Sequence, residues 1–98
     1  MNDVAEALDR LRSRFLARAA DDLDNLRRWT TDPPADAEDL HRLVHRLSGA
    51  AGTFGFRRLS DLAATAEDAL VTGGPNRTGA LADLLEELER LTGPGASD

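Results

Sequence analysis

Cysteine is absent from the 98 residues, which excludes a disulfide framework and thiolate metal sites and fits a reducing compartment. Lysine is absent too: the twelve basic residues are all arginine, and eighteen acids outnumber them to give a net charge of -6. A chain with that balance is a poor candidate for nucleic-acid binding, whose affinity rests on neutralising phosphates, so protein partners are expected. Long apolar runs are missing as well. The longest uncharged stretch, Leu47 to Phe56, falls far short of the roughly 20 apolar residues that a membrane-spanning helix needs. The opening segment MNDVAEALDR carries acids early and no apolar centre, so it does not read as a signal peptide. A soluble, cytoplasmic protein without membrane contact is the expectation. A chain of this length buries only about 60 to 70% of its unfolded surface, enough for one modest core and not for a separate nucleotide-binding domain.

What is present is helical periodicity. Val4, Leu8, Leu11, Phe15, Ala19, Leu23 and Leu26 recur every three or four residues, which predicts one apolar stripe along a long first helix ending near Trp29. Thr30 to Ala35 contains Asp32, Pro33 and Pro34, a stop followed by a start, with aspartate as a cap and proline in the first helical turn. A second helix carries Leu40, Leu43, Val44, Leu47 and Ala51 on one side and ends at Gly55 in a left-handed conformation. A third buries Leu59, Leu62, Ala63, Ala66 and Leu70. After the breaker Thr72 to Thr78, a fourth directs Leu81, Leu84, Leu85, Leu88 and Leu91 inward. Four such helices with short connections cannot each hide a stripe alone, so an all-α, antiparallel up-down four-helix bundle is expected over residues 1–92, with a disordered tail at 93–98.

One residue breaks the pattern of the second helix in an informative way. At about 100° per residue, His45 points roughly 140° away from the apolar side, so it is expected to face water. Its neighbours on that face, three, four and seven positions on, are Ser48, Gly49 and Gly52, all small. Each interior glycine costs on the order of 1 kcal/mol relative to alanine, so a compensating reason is expected. Close packing by another helix is one; a cleared platform on which a large partner reaches the imidazole is the other, and the shared direction of glycines and histidine favours the platform. An isolated imidazole keeps a neutral, nucleophilic nitrogen available near neutral pH and can attack phosphorus directly. Arg42, one turn earlier, is a candidate counter-charge for phosphoryl oxygens, with an ordinary solvated arginine as the alternative.

The run His45-Arg46-Leu47-Ser48-Gly49-Ala50-Ala51-Gly52-Thr53-Phe54-Gly55 resembles the phosphoacceptor signature of histidine-containing phosphotransfer (HPt) domains: a histidine, a leucine two later, a glycine four later, small residues, and a glycine ten later. Leu59, Leu62 and Glu67 also fall where that family's next helix carries leucines and a glutamate, and the resemblance runs from about Leu8 to Leu91. It implies a four-helix bundle acting as a phosphorelay intermediate of two-component signalling. His45 would be phosphorylated on its outer ring nitrogen, and a response-regulator receiver domain would dock its aspartate over Gly49 and the neighbouring helix. The Mg²⁺ would belong to the receiver; no cofactor is expected in this chain. The phosphoryl group would come from a sensor or hybrid histidine kinase, and the carrier itself would be a monomer and not an enzyme. The expected site is thus His45 as phosphoacceptor, with His41, Arg42, Arg46, Ser48, Gly49 and Gly52 around it contacting phosphate or partner. The sequence departs from the family at Ser48, where lysine is frequent, so a nearby cation would come from Arg42 or Arg46; it departs also at Phe56 and Ala66.

Two other chemistries are weaker. His41 and His45 are spaced as a metal-binding pair on one helix face, but neither a cysteine nor an inward carboxylate pair completes a shell, and no metal site is expected. Ser48 beside His45 offers no third orienting group for hydrolysis. The alternative of a different class is a helical adaptor that docks receiver domains without being phosphorylated.

Overall fold

The computed structural model describes residues 3–32, 34–73 and 75–93. Within them lie four helices, α1 (Asp3–Thr31), α2 (Ala37–Thr53), α3 (Arg57–Thr72) and α4 (Arg77–Thr92), and no strand. The helical periods of the sequence are therefore all realised. Paired residues show how neighbouring helices run. Along α1 and α2, Arg12 meets Phe54 and Asp22 meets Arg46. Along α2 and α3, Ser48 meets Ser60 and His45 meets Glu67. In each couple one number rises as the other falls, so α2 runs antiparallel to both α1 and α3. Helix α4 closes the ring by packing on both α3 and α1.

The ends of the helices have local causes. The carboxylate of Asp36 accepts the Glu38 N–H at 3.0 Å and starts α2. The start thus falls later than the proline-led turn expected from Asp32 to Pro34. Pro34 precedes the helix, and Pro33 lies outside the described residues. At the other end of α2, Gly55 takes φ +85°, as expected. Its N–H is bonded to the Gly52 carbonyl, and the next N–H, of Phe56, reaches back to Ala51 at 2.8 Å. That pair of reversed bonds satisfies the last carbonyls and turns the chain directly into α3. Gly73, at φ +66°, ends α3 in the same left-handed region. Gly93 donates its N–H to Glu89 at the end of α4; the rest of the expected tail, 94–98, lies outside the described residues.

The core is made by Phe15, Leu23, Leu26, Leu43, Val44, Leu47, Leu59, Leu84 and Leu88, with Ala19, Ala51, Ala63 and Ala66 where helices approach closely. Leu62, Leu70, Leu81, Leu85 and Leu91 are half-buried at its rim. Phe56 stacks on Phe15 with ring centroids 5.2 Å apart, and Phe54 lies at 5.7 Å from the same ring, so the bulky residue after Gly55 anchors α1 over the α2–α3 turn. Two carboxylates are buried, each against arginine: Asp22 bonds Arg46 at 2.8 Å, and Glu87 bonds Arg90 at 2.6 and 2.9 Å and lies 3.5 Å from Arg58. Among the described residues no buried side-chain polar atom lacks a hydrogen-bond partner. The first helix departs from expectation at its start. Val4, Leu8 and Leu11 belong to the apolar stripe but stand exposed, because α1 has 29 residues against 16 or 17 in the others and runs beyond them.

Candidate functional site

Leu40, Leu43, Val44, Leu47 and Ala51 bury one side of α2, and that alone turns His45 outward. Its side chain is 70% exposed. It is nevertheless held: Nδ1 lies 2.6 Å from Oε2 of Glu67, which projects from α3. A carboxylate offers only acceptors, so Nδ1 carries the proton in this bond. In the neutral ring the lone pair then sits on Nε2, the outer nitrogen. A flexible surface imidazole is thereby fixed in tautomer and orientation by a residue 22 positions away.

The same Glu67 oxygen lies 3.3 Å from Nε2 of His41, and the two imidazoles lie nearly parallel with centroids 6.2 Å apart. His41, the more covered ring, therefore reaches the site through the shared carboxylate. The i, i+4 spacing does place both histidines on one face, as expected. Among the described residues, however, no group of three or more histidine, aspartate or glutamate side chains is arranged to hold a metal ion.

The two glycines of the helix face serve different ends. A Cβ built on Gly49 would meet nothing within 4 Å, so this glycine leaves open space next to the imidazole, as the platform reading requires. A Cβ on Gly52 would come within 3.2 Å of the Ser60 hydroxyl, so Gly52 answers to close packing of α3. Ser48 belongs with Gly52. Its hydroxyl donates to the Ser60 carbonyl at 3.2 Å, and the Ser60 hydroxyl donates to the Ser48 carbonyl at 2.9 Å. This reciprocal clasp holds α2 against α3 one turn along α2 from His45, and it engages the Ser48 hydroxyl with backbone.

The arginines separate in the same way. Arg46 turns toward α1 and bonds buried Asp22, whose side chain is only 6% exposed, so its guanidinium is committed to the bundle. Arg42 is exposed and pairs loosely with exposed Asp39 at 3.6 Å. At about 100° per residue it lies some 60° from His45 on the open face, on the side toward α1. Of the two cations weighed from sequence, Arg42 is the one left free to swing toward a group on His45. The residue that sequence reasoning left without a role is Glu67. In the sequence it stands out only as a glutamate in a matching position, because its pairing with His45 depends on the register between α2 and α3.

The site is thus a carboxylate-braced imidazole on an exposed helix face, beside a glycine with open space around it. The family comparison agrees, since the model of the Hpt domain matches residues 10–93, and the chain belongs to that family. Neither a curated protein nor a solved structure matches it. Membership assigns the chain a phosphotransfer role in two-component signalling, in a family that carries phosphoryl groups between kinases and response regulators. Among the described residues no helix is long and apolar enough to cross a membrane.

Proposed function

We propose that the chain is a phosphorelay intermediate that accepts a phosphoryl group on Nε2 of His45 and exchanges it with the aspartate of a response-regulator receiver domain. The observation that carries this reading is the bond from Nδ1 to Glu67 beside the empty space at Gly49: one nitrogen is occupied, the other is free, and a large partner has room to reach it. From an aspartyl phosphate, the Nε2 lone pair attacks phosphorus, the P–O bond to the aspartate breaks, and the carboxylate leaves with its electron pair. The imidazole ends with an N–P bond, and the positive charge it gains is spread toward Glu67. The reverse reaction returns the group. Phosphoryl transfer needs mostly positioning and charge stabilisation. Glu67 supplies the first, and Arg42 is placed to contribute to the second. The receiver brings Mg²⁺ and its own carboxylates, so this chain needs no cofactor and no nucleotide site. A sensor or hybrid kinase would load the system, and the exchange would take place in the cytoplasm.

The receiver-docking adaptor remains the second reading because Ser48, where the family often has lysine, is tied to α3. Incubation of the full chain and of His45→Gln with a radiolabelled, phosphorylated receiver separates the two. Acid-labile label on the wild type and none on the variant is expected. Equal labelling of both would remove His45 from the reaction, and binding without labelling of either would leave the adaptor.

A further inference from the structure

Glu67 is held differently from the buried carboxylates Asp22 and Glu87. Each of those is paired with arginine, whereas among the described residues the ion-pair partners of Glu67 are two histidines, His45 at 2.6 Å and His41 at 3.3 Å, both on the one oxygen Oε2. Ordering a glutamate side chain costs about as much as one exposed hydrogen bond returns. His45, with its side chain 70% exposed, gives just such a bond, and on its own that bond leaves the carboxylate free to swing into water. His41 is the better anchor. Its side chain is 33% exposed, and it lines a groove with Ala37, Leu70 and Val71, where the other charged side chains, Glu38 and Arg77, are not paired with Glu67.

One carboxylate oxygen has room for two donors, and because it can only accept, the ring nitrogen that faces it carries a hydrogen. We propose that His41 is a positioning residue for the phosphoacceptor: its Nε2–H draws Oε2 of Glu67 and keeps it opposite Nδ1 of His45, so that the proton stays on Nδ1 and the lone pair on Nε2. The i, i+4 spacing on α2 is what lets a single carboxylate from α3 serve both rings. This role acts through Glu67 and replaces the direct contact with phosphate or partner expected from sequence. Its effect on transfer rests on the relay reading; its effect on the ring of His45 does not.

Three variants of the full chain test this: His41→Leu, which removes the N–H; His41→Gln, whose amide nitrogen stands about where Nε2 does; and His41→Leu combined with Glu67→Ala. In ¹⁵N spectra at about pH 8.5, above the ordinary histidine range, the wild type should carry the His45 proton on Nδ1. His41→Leu should move it in part to Nε2, and His41→Gln should keep it on Nδ1. Transfer from a saturating phosphorylated receiver should fall about threefold in His41→Leu, recover in His41→Gln, and fall no further when His41→Leu is added to Glu67→Ala. Unchanged ring shifts in His41→Leu overturn the proposal, as does a glutamine variant no better than the leucine one. A second loss on top of Glu67→Ala also overturns it, because His41 would then act on the partner directly. A wild type that takes no label defeats the relay reading; the ring shifts then stand by themselves, upholding the role of His41 if they move in His41→Leu and overturning it if they do not.

Discussion

His45 and Glu67 meet across the α2–α3 interface at 2.6 Å, so the imidazole that faces solvent is oriented by a carboxylate from the neighbouring helix. Removing that carboxylate should leave the nucleophile present and poorly aimed. Glu67→Ala should slow transfer from a phosphorylated receiver by about tenfold, the equivalent of roughly 1.4 kcal/mol and the scale of one hydrogen bond to a charged group. Glu67→Gln, which keeps an acceptor oxygen, should recover part of the rate. The rate at saturating receiver carries the effect, and the ¹⁵N shifts of the ring should show the proton leaving Nδ1 in the alanine variant. Unchanged ring shifts with full activity would show that Glu67 does not orient the ring.

Gly49 and Gly52 should respond oppositely to the same methyl group. Gly49→Ala enters open space and removes the helix penalty of glycine, so it should stabilise the fold by about 1 kcal/mol and raise Tm by roughly 4–8 °C. Gly52→Ala brings its methyl within 3.2 Å of the Ser60 hydroxyl, so the clasp between Ser48 and Ser60 must yield and the gain should vanish or reverse. Gly49→Leu should stay folded and still slow transfer, because its side chain fills the approach to His45. Thermal unfolding and the transfer assay on the same samples check all three, and normal transfer by Gly49→Leu would refute the clearance argument.

The contrast between these glycines shows what one-dimensional reading reaches. Helix periods, the outward direction of His45 and the left-handed end at Gly55 follow from spacing within a single helix, and the structure reproduces them. Partnerships between helices do not. Glu67 with His45, Ser48 with Ser60 and Arg46 with Asp22 are separated by 22, 12 and 24 positions, and each depends on the register of one helix against another. Periodicity is equally silent on where a stripe stops being covered, so the spacing of Val4, Leu8 and Leu11 is that of core residues although they stand exposed. Ser48 likewise reads as a phosphate- or partner-facing residue from its place on the helix alone, because its bonds to Ser60 depend on the register of α3.

Arg46 should prove structural. Its guanidinium is the partner of a carboxylate that is only 6% exposed, and removing one member of such a pair leaves the other buried and uncompensated. The Arg46 side chain itself is 40% exposed, so water screens part of the loss, and Arg46→Ala should cost about 2 kcal/mol in urea unfolding. Transfer per folded molecule should remain near wild type. Arg42→Ala should show the reverse, with little change in stability and a shorter lifetime of the phosphorylated state. If Arg46→Ala instead abolished transfer while leaving stability intact, the assignment of the two arginines would have to be exchanged.

Glu87 sets an acid limit on the bundle. Its carboxyl is held below the usual 4.5, chiefly by the hydrogen bonds from Arg90 and then by the charges of Arg90 and Arg58, against an opposing effect of burial. As pH falls, the unfolded chain takes up this proton before the folded one does. The stabilisation from Glu87 is therefore complete above the ordinary value and is lost as pH drops through the lower, folded value. Replacing the charge with Glu87→Gln should lower stability by about 1 kcal/mol at neutral pH. It should also flatten the stability profile below pH 4.5, since one proton fewer is then linked to unfolding. Denaturant titrations of both proteins across that range measure the difference directly. Parallel profiles would mean that the carboxylate and its two arginines contribute equally to the folded and unfolded chain, which the close contacts at 2.6 and 2.9 Å argue against.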